Sequence, residues 1–417
     1  MTVTPSTPST PPAPKVSMLS KLPIKELLVL FVVLLICMLV VLQYKRPLPT
    51  VEVKLTSTSY TLPGNFSVNF PKQGESAVGT DNLGVIASTQ DQAPVPIASV
   101  TKIMTAYLVL QAHPLKTGQS GPTLTMTAQD VAGYENDLNN GYSVLKVAEG
   151  ETLTERQLLE GLMLPSGDNI ADTLGRWVSG SDTAFVAKMN ETAQSLGMTQ
   201  THYEDASGVS EATVSNAVDQ IKIAQAAMKD PIFREIVAMP QATLPVAGTV
   251  YNVNGMLGKH GIVGVKTGST TAAGGCFVSA SPIVVGDETH YIIGAVLGQK
   301  TRQSLQSALE ANGDLLDQVR PQFKLFTLDE PASGFGQVTT AWHSNSDLKA
   351  TKPVQIFGYP GMNVSYSINL QNTTLPMTAN SDSATLKIES GQDVQNVQLQ
   401  NSQAIKPAGF LWRLIRF

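Results

Sequence analysis

Residues 96–110 read PIASVTKIMTAYLVL, and they place a hydroxyl, Ser99, and an amine, Lys102, three positions apart at the head of an apolar run, 103–110. On a helix such positions share a face. The Lys102 amine can then reach the Ser99 oxygen and take its proton as the hydroxyl attacks a carbonyl. Spacing alone is a weak signal, since a chain of this length holds about one or two Ser-x-x-Lys matches by chance. A second element is rarer. Lys266, Thr267 and Gly268 lie between Val263 and Val265 on one side and Ala272, Gly274 and Gly275 on the other, a tripeptide expected about once in ten such chains. A third candidate, Ser166-Gly167-Asp168-Asn169, separates the apolar helical runs 158–164 and 170–174. Order and separations fit an acyl-transfer site.

Composition narrows the setting. The chain has 417 residues and a net charge of -5, enough for two or three domains and without the basic excess of a nucleic-acid binder. Cys37 and Cys276 lie far apart, so no disulfide framework is available. The uninterrupted apolar stretch 27–42, extended by Ile24 and Tyr44, approaches membrane-spanning length. Lys15, Lys21 and Lys25 precede it, Lys45 and Arg46 close it, and Pro47 and Pro49 follow. No small-x-small cleavage site follows, and Ile36 before Cys37 is too bulky for a lipoprotein site. Residues 23–44 therefore read as an uncleaved signal anchor, with 1–22 a disordered cytoplasmic tail rich in Ser, Thr and Pro and 45–59 a linker.

Beyond residue 60 the pattern becomes globular and mixed, α/β in the α+β sense. Short β-rich runs at 83–88 and 290–297 bracket helical periodicity at 103–112, 155–164, 182–196 and 219–228. Thr154 followed by Gln157 is a capping-box pattern, and Pro231 suits the first turn of a short helix, 231–237. Strands at both ends with helices between imply that the first and last segments share one sheet and that a helical subdomain is inserted. A linker at 327–336 leads to period-two runs at 337–342, 354–357, 364–370 and 384–388, which predict a small β-sandwich over 337–405. The final segment 406–417 mixes Phe410, Leu411, Trp412, Leu414, Ile415 and Phe417 with Arg413 and Arg416. It reads either as an amphipathic helix on a membrane surface or as a last strand of the β domain.

Four segments carry a family resemblance: 96–106, 159–174 (LEGLMLPSGDNIADTL), 196–209 (LGMTQTHYEDASGV) and 252–280 (NVNGMLGKHGIVGVKTGSTTAAGGCFVSA). They resemble the D-alanyl-D-alanine carboxypeptidases, the low-molecular-mass penicillin-binding proteins of the serine β-lactamase-like superfamily, whose motif set also combines Ser-x-x-Lys with Lys-Thr-Gly. The similarity runs from about residue 60 to 326. It implies an antiparallel sheet flanked by helices, with an extracytoplasmic catalytic domain at a bacterial cell membrane. Ser99 would attack the penultimate D-alanine carbonyl of a peptidoglycan stem peptide, and Lys102 would accept the proton. Lys102 must then be neutral, a state that desolvation and nearby Lys266 both favour. Ser166 would relay the proton to the leaving amine, Lys266 with Thr267 would hold the substrate carboxylate, and the Ser99 and Ser269 amides would form the oxyanion hole. Gly268 would let the strand approach the substrate. The resemblance further implies covalent inhibition by β-lactams, needs no cofactor or metal, and provides a C-terminal β domain that stands the enzyme off the membrane.

One departure stands out. The family pattern is Ser-x-Asn, often followed by Asp, whereas here Asp168 precedes Asn169. A carboxylate about 4 Å from Lys102 favours the charged amine by up to about 4 kcal/mol at an effective dielectric near 20. Asp168 either weakens the base or is a tolerated variation, with Asn169 supplying the amide or Asp168 accepting a bond from Lys102. Three functions stay open: a DD-carboxypeptidase or endopeptidase, a serine β-lactamase, and a cell-wall scaffold disabled by Asp168. No Glu-x-x-Leu-Asn segment of the kind a β-lactamase needs for deacylation follows Ser166. The histidines His113, His202, His260, His290 and His343 show no metal-ligand spacing, and Cys276 reads as a buried thiol.

Overall fold

A computed structural model describes residues 24–371 and 373–416; the expected disordered tail lies outside them. The catalytic domain is built on five antiparallel strands in the order Gly264–Thr270, Gly274–Val285, Glu288–Gln299, Glu75–Thr80, Gly84–Ser88. Segments from both ends of the domain thus share one sheet; the helical subdomain comes between them in sequence, and helix Ser304–Val319 follows. Side chains alternate across the sheet. Cys276, Val278 and Ala280 join the core of the helical subdomain, while Phe277 joins a second core beneath helix Ser304–Val319. With both faces covered, the inner strands are apolar on both sides.

The helix Lys102–Ala112 is buried except at Tyr107, Gln111 and Ala112. An element apolar all round belongs at the centre of a domain, and this one carries the Ser-Lys pair at its head. Around it lie Glu155–Met163, Asp168–Ser179, Asp182–Ser195 and Ala217–Met228. Thr154 and Gln157 form the capping box, and Asp230 caps the Pro231–Val237 helix with Pro231 in its first turn. The helix Ala128–Asn139 was not anticipated. Only Asp130 is buried along it, and its start is set by a second capping box, between Thr127 and Asp130.

The C-terminal β domain is one seven-stranded antiparallel sheet with a two-stranded ladder, Lys324–Thr327 against Gln355–Gly358. Its outermost strands are not C-terminal in sequence. Glu52–Leu55 pairs with Gly336–Thr339 at one edge, and Ser59–Thr61 pairs with Asn363–Leu370 at the other. The expected 45–59 linker therefore includes a whole strand and the start of another, because the exposed edges of the β sheet capture the chain as it leaves the N-terminal helix. Asp382–Ser390 and two polar strands, Asn345–Ala350 and Asp393–Asn401, complete the sheet. Residue 410 begins a short helix, Phe410–Ile415, rather than a strand.

Helix Ile24–Lys45 stands apart. It has 22 residues with a mean hydropathy of 3.0 in its most apolar window and none of that window buried against the protein. At 1.5 Å per residue it is about 33 Å long, close to the thickness of a bilayer core.

Candidate active site

The chain reaches Ser99 through the short strand Val95–Pro96 and a tight turn, Ala98–Thr101, that runs directly into helix Lys102–Ala112. Ala98 holds a positive φ of 49°, the kind of backbone strain that surrounding structure must impose. Ser99 is partly exposed and Lys102 fully buried, so the hydroxyl faces the cleft and the amine sits behind it.

Lys102 Nζ has three partners: Ser99 Oγ at 2.9 Å, Asp168 Oδ1 at 2.5 Å and the Ser207 carbonyl at 2.9 Å. As an ammonium it donates to all three. As a neutral amine it keeps two hydrogens and one lone pair. The ionised carboxylate and the carbonyl can only accept, so the lone pair falls to the one partner able to donate, the Ser99 hydroxyl. The geometry therefore directs the lone pair of a neutral Lys102 to the Ser99 hydroxyl.

Asp168 opens helix Asp168–Ser179 and is pinned from outside the site as well. Its Oδ2 accepts the Ser143 N–H at 3.0 Å, and its own N–H donates to the Ser143 carbonyl at 2.7 Å. Asn169 does not join the cluster. Its side chain bonds both backbone groups of Leu145, accepting at 2.9 Å and donating at 3.0 Å. Consecutive helical positions point about 100° apart, so one residue faces Lys102 and the next braces the loop. Asn169, one of the two expected sources of the site's polar group, is turned to the Leu145 backbone and Asp168 to Lys102.

Ser166 is buried with a φ of 69°, and its Oγ has no hydrogen-bond partner among the described residues. A buried hydroxyl left free on a strained backbone is a group waiting for a ligand. Opposite runs the edge strand Gly264–Thr270, with Lys266, Thr267 and Gly268 buried and Ser269 exposed. Lys266 Nζ donates to the Thr267 carbonyl at 3.1 Å. Burial, and after it the Lys102 charge, hold the Lys266 amine well below the ordinary lysine range, with Asp168 opposing. Gly268 is needed for space: a Cβ there would lie 2.9 Å from Ile97 O and Ser99 N and 3.0 Å from Val100 N.

Sequence reasoning gave no role to Ser143, Leu145 or Ser207, which act through backbone groups that carry no residue signature. Gly208 was also missed. It has a φ of 85°, and a Cβ on it would collide with the Ala98 carbonyl. The signal was present in Asp205, three residues earlier, whose carboxylate accepts the Gly208 and Ser210 N–H groups at 2.8 and 2.7 Å and shapes the turn. The five histidines take no part in the Lys102 contacts; His113, for example, stacks on Trp177. Burial pushes the Cys276 thiol up to about 12, which leaves it unreactive.

A serine with a buried lysine one turn on, a free serine hydroxyl and a lysine-bearing edge strand, set between a five-stranded sheet and a helical subdomain, define a serine acyl-transfer enzyme of the penicillin-recognising fold. More narrowly, the chain belongs to the D-alanyl-D-alanine carboxypeptidase family, whose sequence profile matches residues 74–301. It is 34% identical over 218 residues to the D-alanyl-D-alanine carboxypeptidase DacB2 of Mycobacterium tuberculosis, covering 51% of this chain and 70% of that one. The crystal structure of the Streptomyces K15 DD-transpeptidase superposes with a TM-score of 0.52 at 28% identity, over 61% of this chain and all of that one. A peptidoglycan synthesis regulatory factor (PBP3) from Streptococcus pneumoniae matches with a TM-score of 0.60 at 19% identity, covering 82% of this chain and 100% of that one, a likeness of fold.

Proposed function

We propose that this chain is a serine-type D-alanyl-D-alanine carboxypeptidase that removes the terminal D-alanine from peptidoglycan stem pentapeptides through an acyl-enzyme on Ser99. Membership of the family supports the activity. The observation that carries the assignment of roles is the 2.9 Å contact of Lys102 Nζ with Ser99 Oγ, the only donor among the lysine's partners.

Lys102 takes the Ser99 proton as Oγ adds to the penultimate carbonyl. The resulting oxyanion meets the backbone N–H groups of Ser99 and Ser269, while Lys266 and Thr267 hold the terminal carboxylate beside the edge strand. As the C–N bond breaks, Ser166 Oγ gives its proton to the departing amine and recovers one from the Lys102 ammonium. Water then adds to the ester with Lys102 again as base, and free Ser99 returns. Asp168 orients Lys102 and ties it to the Ser143 loop. Helix Ile24–Lys45 crosses the membrane, and the two folded domains lie on the outer side, where the stem peptides are. β-Lactams, which carry the same reactive carbonyl beside a carboxylate, acylate Ser99.

The test is labelling by a fluorescent penicillin. Stable label on the peptide containing Ser99, absent in Ser99→Ala, is the expected result. Rapid release of hydrolysed penicillin would mark a β-lactamase, and no labelling at all would mark a scaffold disabled by the Lys102–Asp168 contact.

A further inference from the structure

The wall of the cleft beside Asp168 carries chemistry that the reaction at Ser99 does not use. Helix Ala128–Asn139 ends in a turn through Gly141, at a φ of 73°, and the turn is fastened at both ends. The Tyr142 N–H donates to the Asp137 carbonyl at 2.9 Å, and Ser143 is bonded to Asp168 through both its N–H and its carbonyl. Tyr142 is 41% exposed, an aromatic ring left open on a fixed backbone. Asp137 is half-buried, and its Oδ1 accepts from Asn136 Nδ2 at 3.2 Å. Asp130 is paired with Arg176 and Asp168 with Lys102, whereas Asp137 has no ion pair among the described residues. Burial lifts its carboxyl above the ordinary range and the Asn136 bond opposes this; it then feels the charges of Asp168 and Lys102, which places it close to the site. Between Lys116 and Lys146 the sequence holds no lysine, arginine or histidine, so no neighbour in this segment neutralises the wall.

A terminal carboxylate is drawn to Lys266 on the edge strand and repelled by Asp137. What lies along the Asp137 wall is then the other part of the stem peptide, the acyl part that precedes the D-Ala-D-Ala unit. We propose that Asp137 and Tyr142 form the subsite for the side chain of the residue just before that unit, and that they select a side chain ending in a free ammonium. The inference rests on the carboxypeptidase reading of Ser99. Asp137 supplies the counter-charge, which is worth more in partial burial than in open solvent. The Tyr142 ring covers the methylene stem and attracts the cation at its end. A side chain ending in a neutral amide keeps the ring contact and loses the charge pair.

The test compares D-alanine release by the full chain from two pentapeptides that differ only at the residue before D-Ala-D-Ala, lysine in one and Nε-acetyl-lysine in the other. The parent should prefer the free ammonium about fivefold in kcat/KM, and the preference should shrink in high salt. Asp137→Asn should bring the two rates together, and Asp137→Lys should turn the preference toward the acetylated peptide. Because a ratio is read, a general loss of activity in either variant does not imitate the effect. A parent that treats the two peptides alike, or a preference that survives high salt and Asp137→Asn, would overturn the subsite and leave the carboxypeptidase standing. A parent that releases D-alanine from neither peptide would overturn the carboxypeptidase reading and the subsite with it.

Discussion

Replacing Asp168 by Asn keeps the side chain's shape and removes its charge and one of its two acceptor oxygens. At 2.5 Å from Lys102 Nζ, the carboxylate attracts an ammonium by about 7 kcal/mol at an effective dielectric near 20. Desolvation of the carboxylate offsets part of this. One fifth of it, about 1.4 kcal/mol, is still a tenfold effect on a rate. In Asp168→Asn the amide oxygen takes the acceptor position facing Lys102, so the Ser99 hydroxyl remains the lysine's donor partner, and the amide nitrogen gives up the Ser143 N–H. The ammonium formed when Lys102 accepts the Ser99 proton then lacks its counter-charge. At one fixed pH, kcat/KM for D-alanine release should therefore fall at least about tenfold, and the rate of Ser99 acylation by a penicillin should fall with it. Unchanged rates would refute the argument that Asp168 stabilises the charge Lys102 acquires.

Gly268→Ala puts a Cβ within 3.0 Å of three backbone atoms beside Ser99; none of these can move as a side-chain end can, so D-alanine release should fall by about 10²-fold with the fold retained. A near-parental rate would show that the close approach is not required. Glu155 is fully buried with neither carboxylate oxygen hydrogen-bonded among the described residues, and burial, then the Asp230 charge, push it up to about 7 from 4.5. A carboxyl raised in the folded state stabilises fully below its unfolded value, and the contribution is lost as pH rises through about 7, by up to about 3 kcal/mol. Glu155→Gln should therefore raise the melting temperature at about pH 8 and change it little at about pH 5; an equal effect at both would refute the assignment.

The parts of the molecule legible in sequence are those where local chemistry repeats the tertiary arrangement. The run after Lys102 is apolar all round because the helix is central, and Thr154 with Gln157 marks a helix start because both side chains bond the local backbone. The strands expected at 364–370 and 384–388 appear as Asn363–Leu370 and Asp382–Ser390, since each buries alternate residues. Glu52–Leu55 and Ser59–Thr61 were not legible, because they become strands only by pairing with residues distant in sequence. Within the site, residue types were readable and directions were not. Whether Asp168 or Asn169 faced Lys102 depended on where one helix begins, and the Ser207 carbonyl that completes the lysine's surroundings could have belonged to any residue.

Everything proposed for the site turns on Ser99 as the nucleophile of a DD-carboxypeptidase. The direct measurement is free D-alanine released from a pentapeptide ending in D-Ala-D-Ala by the full chain, beside Ser99→Ala. Catalytic release by the parent and none by the variant is the expected result. Release that survives in Ser99→Ala, or a parent that releases nothing while Asp168→Asn does, would contradict it.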